Sequence, residues 1–296
     1  FNSTTIKLIK LIEEQLSTDE GLVKNMRTKH DTIDIYSDEA LPEIDKVVVF
    51  SENEYGMASL LAGTTIIGDR EPDATVMSHL LTEMAFNAAP KMARVGWEIY
   101  FEVDESYNTV AYVMITNWPS VQLFPPESSK ATWIYTYPVV RDLVALFQKQ
   151  GAKTLHFISS TTIHEALDPE VFALLSPSII KNYVFGTNDD LGDNLFFAPP
   201  TWLFPYIAHM MGYGKAEIVM SGCDDDKKVD DEAGWTLAKY LSKYMGRKLL
   251  KREYNGIVKD FTKLVDKHEK LHAELAVNME AMSKAQTESP SEHMWG

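Results

Sequence analysis

The sequence has a single cysteine, Cys223, among 296 residues. No disulfide can form within the chain, which excludes a disulfide-stapled scaffold and makes the reducing cytoplasm the expected location. Long apolar runs are also missing. Stretches such as Val47-Val48-Val49-Phe50 are strand-sized and fall far short of the ~20 residues a spanning helix requires. Basic charge is scarce, with 28 Lys and Arg against 43 Asp and Glu, for a net charge of −15. A surface this acidic repels phosphate backbones and anionic lipid, so neither nucleic acid nor a membrane is an expected partner. The opening Phe1-Asn2-Ser3 has no initiator Met and no basic segment leading into an apolar core, so it does not read as a signal peptide. Asn2-Ser3-Thr4 matches a glycosylation sequon that a cytoplasmic protein does not use. No Walker A sequence, no G-x-S-x-G elbow and no repeat of fixed period occurs.

Apolar residues make up 45% of the chain and charged residues 24%, ordinary globular values that exclude a disordered or collagen-like chain. A chain of this length can bury a substantial core. Ile6, Leu8, Ile9, Ile12 and Leu16 follow helical spacing. Thr32–Tyr36 alternates as a strand, and Lys46–Phe50 is a continuous β-branched run suited to a strand buried on both faces. A helix is expected over Ala74–Met92, capped by Asp73 after Pro72. Trp97–Val103 and Thr109–Thr116 form an expected antiparallel hairpin.

From Val139 onward, helices and strands alternate. Helices are expected over Val139–Gln150, Thr201–Met211 and Glu232–Met245, and each is followed by a glycine, Gly151, Gly212 or Gly246. Strands are expected over Lys153–Ser159, Asn182–Gly186 and Lys215–Met220. This alternation predicts an α/β fold with a mostly parallel sheet covered by helices. Beyond it, Ile257, Phe261, Leu264, His268, Leu271 and Leu275 recur at alternating spacings of 4 and 3. They predict a long C-terminal helix with a coiled-coil-like seam, the natural oligomerisation element. The expected organisation is an N-terminal helical extension (1–29), an α/β core (30–250), the long helix (251–287) and a polar tail (288–296). Residues 1–245 carry 35 acidic and 19 basic side chains, whereas 246–274 carry 8 basic and 5 acidic, so the acidity belongs to the body.

Several motifs have a functional and an ordinary interpretation. His268-Glu269-Lys270-Leu271-His272 fits H-E-x-x-H, which on a helix can hold zinc. Lys267 and Lys270 would oppose a cation, however, no third ligand pattern follows, and His268 falls on the seam, where a polar residue sets register. Asp224-Asp225-Asp226 and Asp230-Asp231-Glu232 follow a strand and suit a hard cation. Lys227 and Lys228 interrupt them, and Asp230 or Asp231 has the ordinary task of capping the next helix. Gly212-Tyr213-Gly214 follows a helix and precedes a strand, the reverse of a dinucleotide loop. Ser159, Ser160, Thr161, Thr162 and His164 follow a strand end, a plausible nucleophile address that is more often structural. Cys223 lacks a close basic neighbour to activate it. Trp97, Tyr100, Phe101, Trp118 and Trp133 lack the interleaved basic residues of a nucleic-acid platform. No metal, cofactor or catalytic residue is expected.

The segment from Tyr137 to Ile158 resembles the helix–glycine–strand unit of the proteasome assembly chaperone 2 family. Val110–Thr116 with Asn117-Trp118-Pro119, Tyr183–Leu191, Trp202–Met220 and Lys228–Gly246 resemble successive segments of the same family, in the same order, over about 46–246. The chain departs from the family pattern at Glu52-Asn53-Glu54-Tyr55-Gly56, which has fewer glycines, and at Ser159-Ser160, where the family has a glycine pair. The resemblance implies an α/β fold similar to nucleoside phosphorylases and a chaperone function without catalysis. It implies proteasome α subunits or a related ring as partners.

Archaeal members of that family carry a C-terminal hydrophobic–Tyr–X tail that docks between α subunits. This chain ends Met294-Trp295-Gly296, with Trp in place of Tyr, after a polar spacer. Met294, Trp295 and Gly296 are therefore the candidate partner-binding residues, and the body is expected to be a homo-oligomer. The alternative is a small-molecule enzyme on a phosphorylase-like scaffold using Asn117, Ser159, Ser160 and Asp189. The absence of Arg from those loops counts against a phosphate cradle.

Overall fold

The structure is a computed structural model that describes residues 26–29, 32–51, 57–78, 81–82, 91–92, 97–115, 129–162, 177–186, 203–224, 227–246, 248–267 and 270. The strands are β1 (Met26–Lys29), β2 (Ile33–Ser37), β3 (Lys46–Ser51), β4 (Ala74–Ser78), β5 (Leu81–Thr82), β6 (Lys91–Met92), β7 (Trp97–Val103), β8 (Thr109–Ile115), β9 (Thr154–Thr162), β10 (Ile180–Val184) and β11 (Lys215–Cys223). The helices are α1 (Ala58–Ile67), α2 (Ser129–Lys149), α3 (Leu203–Met210) and α4 (Asp231–Met245). A further helix, α5, covers 251–267.

Among the described residues, nine strands form one sheet in the order β1-β2-β4-β7-β8-β3-β9-β11-β10. Its centre is parallel, running β8-β3-β9-β11. The β1-β2-β4-β7 side and the β10 edge are antiparallel. The sheet is thus mixed, and its parallel part is confined to the centre; the five-residue turn between β7 and β8 is too short for anything but an antiparallel return. Met26–Lys29 pairs with β2, so the sheet begins before residue 30.

The continuous apolar run Lys46–Phe50 sits at the centre, as its pattern requires. Val47 and Val49 face α2 and α3, and Val48 and Phe50 face α1 and α4. All four are fully buried. The β7–β8 hairpin forms as expected, and α4 carries both expected caps. Asp230 accepts hydrogen bonds from the Glu232 and Ala233 amides, and Gly246 ends the helix at φ 68°.

Two segments differ from the sequence expectation, and a third, α1, was not anticipated by it. Ala74–Ser78 is a strand, not the start of a helix. Its β-branched Thr75 and Val76 pair with β2 and β7, and Asp73 accepts from the Phe101 amide at 2.6 Å instead of capping a helix. Helix α2 starts at Ser129 and runs through Pro138, although Pro removes one helical hydrogen bond and favours a helix start. Helix α1 has no amphipathic pattern. It is packed between the sheet and α4, so it is apolar on nearly every side and reads in sequence like a loop or a buried strand.

Candidate functional site

The chain passes from β3 to β8 on one side and then to β9 on the other. The carboxyl ends of β3 and β9 therefore flank the topological switch point, where open α/β sheets place ligand sites. At this end of the sheet, hydroxyls tie the described strands together. The Ser59 Oγ donates to the Ile158 carbonyl at 2.6 Å and accepts from the Ser51 amide at 3.1 Å, joining the two strands through α1. Ser159 donates to the Ser160 carbonyl at 3.3 Å. All four of these serines are buried.

Cys223 lies buried at the end of β11, and burial pushes its thiol up to about 12, far from thiolate reactivity. Asp230 is fully buried and also accepts from the Asp224 amide at 3.0 Å. The described part of the acidic patch thus builds a turn and a helix cap. Among the described residues no group of three or more metal-ligating side chains occurs. Asn117, Asp189, Asp225 and Asp226 lie outside the described residues, as do Trp118, His164 and the H-E-x-x-H histidines, whereas Trp133 falls within α2.

At the opposite end of the same strands lies a polar cluster that sequence reasoning missed. His156 and Glu217 are register partners on β9 and β11. Both are buried, and His156 Nδ1 lies 2.5 Å from Glu217 Oε1. His156 Nε2 lies 2.9 Å from the Tyr244 hydroxyl on α4. Lys215 Nζ reaches Glu217 Oε2 at 2.8 Å. Burial acts to raise the Glu217 carboxyl, but His156 and Lys215 outweigh it and hold the group below the usual carboxylate range. Burial also raises the Tyr244 phenol. Tyr244 therefore stays protonated and donates to Nε2 while Nδ1–H donates to Glu217. This arrangement cross-links β9, β11 and α4 without generating a nucleophile. The one sequence signal was a charged residue at the same offset in two apolar strands, Lys153-Thr-Leu-His156 and Gly214-Lys-Ala-Glu217.

Lys46 continues the cluster outward. Its ammonium lies 5.1 Å from the Tyr244 ring centroid and 2.7 Å from Asp104 Oδ2. Burial opposes ionisation of Asp104, but Lys46 and the Asn108 and Ser106 donors prevail, and its pKa falls to about 2. Between the ordinary carboxylate value of 3.8 and about 2, the unfolded chain binds more protons here than the folded chain. Stability from Asp104 is therefore complete above that window and lost as pH falls through it. Thermal melts at successive pH values should show a flatter acid limb for Asp104→Asn, and an unchanged limb would count against this assignment.

The expected oligomerisation seam is only partly described. Phe261 packs against the α1/α4 core, Ile257 is half-buried and Leu264 is 53% exposed. The root of α5 is anchored to the body. Tyr254 is fully buried and donates to the Asp231 carbonyl at 2.6 Å. Lys251 lies 4.3 and 4.6 Å from the Trp235 and Tyr254 ring centroids. His268, Leu271, Leu275 and the tail residues Met294, Trp295 and Gly296 lie outside the described residues.

No protein-family model matches the sequence, and no curated protein is similar to it. Solved structures do resemble the fold. PbaB, an archaeal proteasome activator from Pyrococcus furiosus, aligns with a TM-score of 0.55 at 14% identity, covering 81% of this chain and 100% of that one. A Mycobacterium tuberculosis protein of unknown function aligns with a TM-score of 0.50 at 12% identity, covering 90% and 95%. PbaA from Pyrococcus furiosus, an archaeal homologue of proteasome-assembly chaperone, aligns with a TM-score of 0.48 at 11% identity, covering 83% and 99%. The α/β fold implied by the sequence resemblance is the fold this chain has, and it is shared with the archaeal proteasome activator over the full span of that protein.

Proposed function

We propose that this protein is a non-enzymatic, proteasome assembly chaperone-like protein that acts in the cytoplasm as a homo-oligomer and binds proteasome α subunits through its C-terminal tail. The observation that carries this is the fold shared with an archaeal proteasome activator from end to end of that protein. Two features support it. At the switch point the Ser59 hydroxyl is committed to backbone groups of β3 and β9. Met294 and Trp295 follow a polar spacer, so two apolar side chains arrive together at an apolar pocket. One such tail binds weakly, but several on one oligomer gain avidity through effective concentration. Leu264, exposed on α5, is the described seam residue left for contact between copies.

Deleting residues 294–296 is expected to reduce α-subunit capture by at least ~100-fold, the lower end of the gain avidity provides, in a pull-down with purified α rings. Undiminished capture would sink the tail mechanism.

A further inference from the structure

The β7–β8 hairpin closes through Glu105, Ser106 and Tyr107. The Asp104 amide donates to the Asn108 carbonyl at 2.9 Å, and the Tyr107 amide donates to the Asp104 carbonyl at 3.0 Å. This is a three-residue loop in which a tight turn is followed by a left-handed residue, a position that glycine ordinarily fills. Here it is held by Tyr107 at φ 63°, where a bulky side chain is a backbone outlier. The ring is 89% exposed, so burial does not compensate for the conformation.

The turn beneath the ring is braced from three sides. The Asp104 carboxylate accepts from the Ser106 amide at 2.8 Å, the Asn108 amide at 2.9 Å and the Asn108 side chain at 2.9 and 3.0 Å. It also accepts from Lys46 Nζ at 2.7 Å. Glu105 packs so closely on the α4 cap that a Cβ at Gly246 would fall 1.8 Å from its Cδ. Val103, 64% exposed, and Tyr244, 37% exposed, add apolar surface at this end of the molecule.

A rigid turn that holds an aromatic ring in solvent has little left to order on binding. Tyrosine is also a preferred anchor of protein interfaces, because it offers large contact area for two rotatable angles. We propose that Tyr107 is a preorganised docking knob that inserts into an apolar pocket edged by Lys or Arg on a protein partner. The basic edge follows from charge. Asp104 and Glu105 lie in the turn, the nearby cations Lys46 and Arg70 are already paired to Asp104 and Glu102, and the whole chain carries −15. The inference rests on the proposed function, under which the partner is the α-subunit ring, and it adds a contact on the body separate from the 294–296 tail.

The test titrates purified α rings with the full chain, Tyr107→Gly and Tyr107→Phe, at low and physiological salt, alongside thermal melts. Tyr107→Gly should melt at the same or a higher temperature, because glycine suits the left-handed position. It should bind at least ~10-fold more weakly, the scale of an interface anchor. Tyr107→Phe should bind like the wild type, and wild-type affinity should fall as salt rises. Full affinity in Tyr107→Gly, or affinity indifferent to salt, overturns the proposal. A tail-deleted chain whose residual binding disappears on Tyr107→Gly supports it even if the tail mechanism fails. A wild-type chain that does not bind the ring overturns the proposed function, and this inference with it.

Discussion

Glu217→Ala should lower the unfolding free energy by about 1–3 kcal/mol, the usual cost of leaving a buried hydrogen-bond donor without its acceptor. Both members are buried, with side-chain exposures of 4% for His156 and 1% for Glu217, so solvent cannot screen the loss. The variant leaves His156 Nδ1 without its acceptor inside the sheet. Lys215 suffers less, because its side chain is 43% exposed and can turn to water. Tyr244→Phe removes only one hydrogen bond and should cost about 1 kcal/mol. Replacing His156 and Glu217 together with apolar residues of similar size should recover much of the loss, since a buried pair is expensive to desolvate in the first place. Urea titrations of the four proteins measure each value, and a loss below ~1 kcal/mol in Glu217→Ala would show that the pair behaves like a solvated surface bridge.

Gly63→Ala should destabilise the protein by about 1–3 kcal/mol, the range for overpacking a close-packed core by one carbon, even though alanine is the better helix former by about 1 kcal/mol. A Cβ at position 63 would lie 2.6 Å from Met114 Sδ and 2.7 Å from Phe50 Cγ. Both of those residues are buried on the sheet, so α1 must lift off to make room. Gly63→Val should be worse, because it adds branching to the same clash. Gly256, in α5, has nothing within 4 Å of its would-be Cβ, and Gly256→Ala should therefore stabilise by up to about 1 kcal/mol. Opposite signs at the two glycines in thermal melts would confirm that packing decides one and propensity the other. A Gly63→Ala protein as stable as the wild type would contradict the close approach of α1 to β3 and β8.

The elements legible in the sequence were those whose local chemistry and tertiary role agree. Lys46–Phe50 is apolar on both faces because both faces are covered. Helix α4 shows an acidic cap, an amphipathic face and a terminal glycine. The elements misread were those where long-range packing overrides the local pattern. Pro138 sits inside α2, and the Asp73 that looked like a helix cap serves the Phe101 amide instead. In the candidate site, the hydroxyls after β9 and the acidic run after β11 were visible as residue types. Their use as backbone ties and a cap became visible only with the distances.

By itself the sequence determined the class of molecule: an acidic α/β protein without disulfides or long apolar runs, with strands and helices alternating in its second half and a hydrophobic–aromatic ending. These follow from composition and short-range periodicity, which act within a few residues. Only the tertiary structure decided that the parallel strands stay at the centre of a mixed sheet, that Ser59 ties β3 to β9, that His156 meets Glu217 across 61 residues, and that Tyr107 stands in solvent on a braced turn. Each of these depends on register and packing between distant segments, where the free energy of a contact is set by partners that no local window of sequence contains.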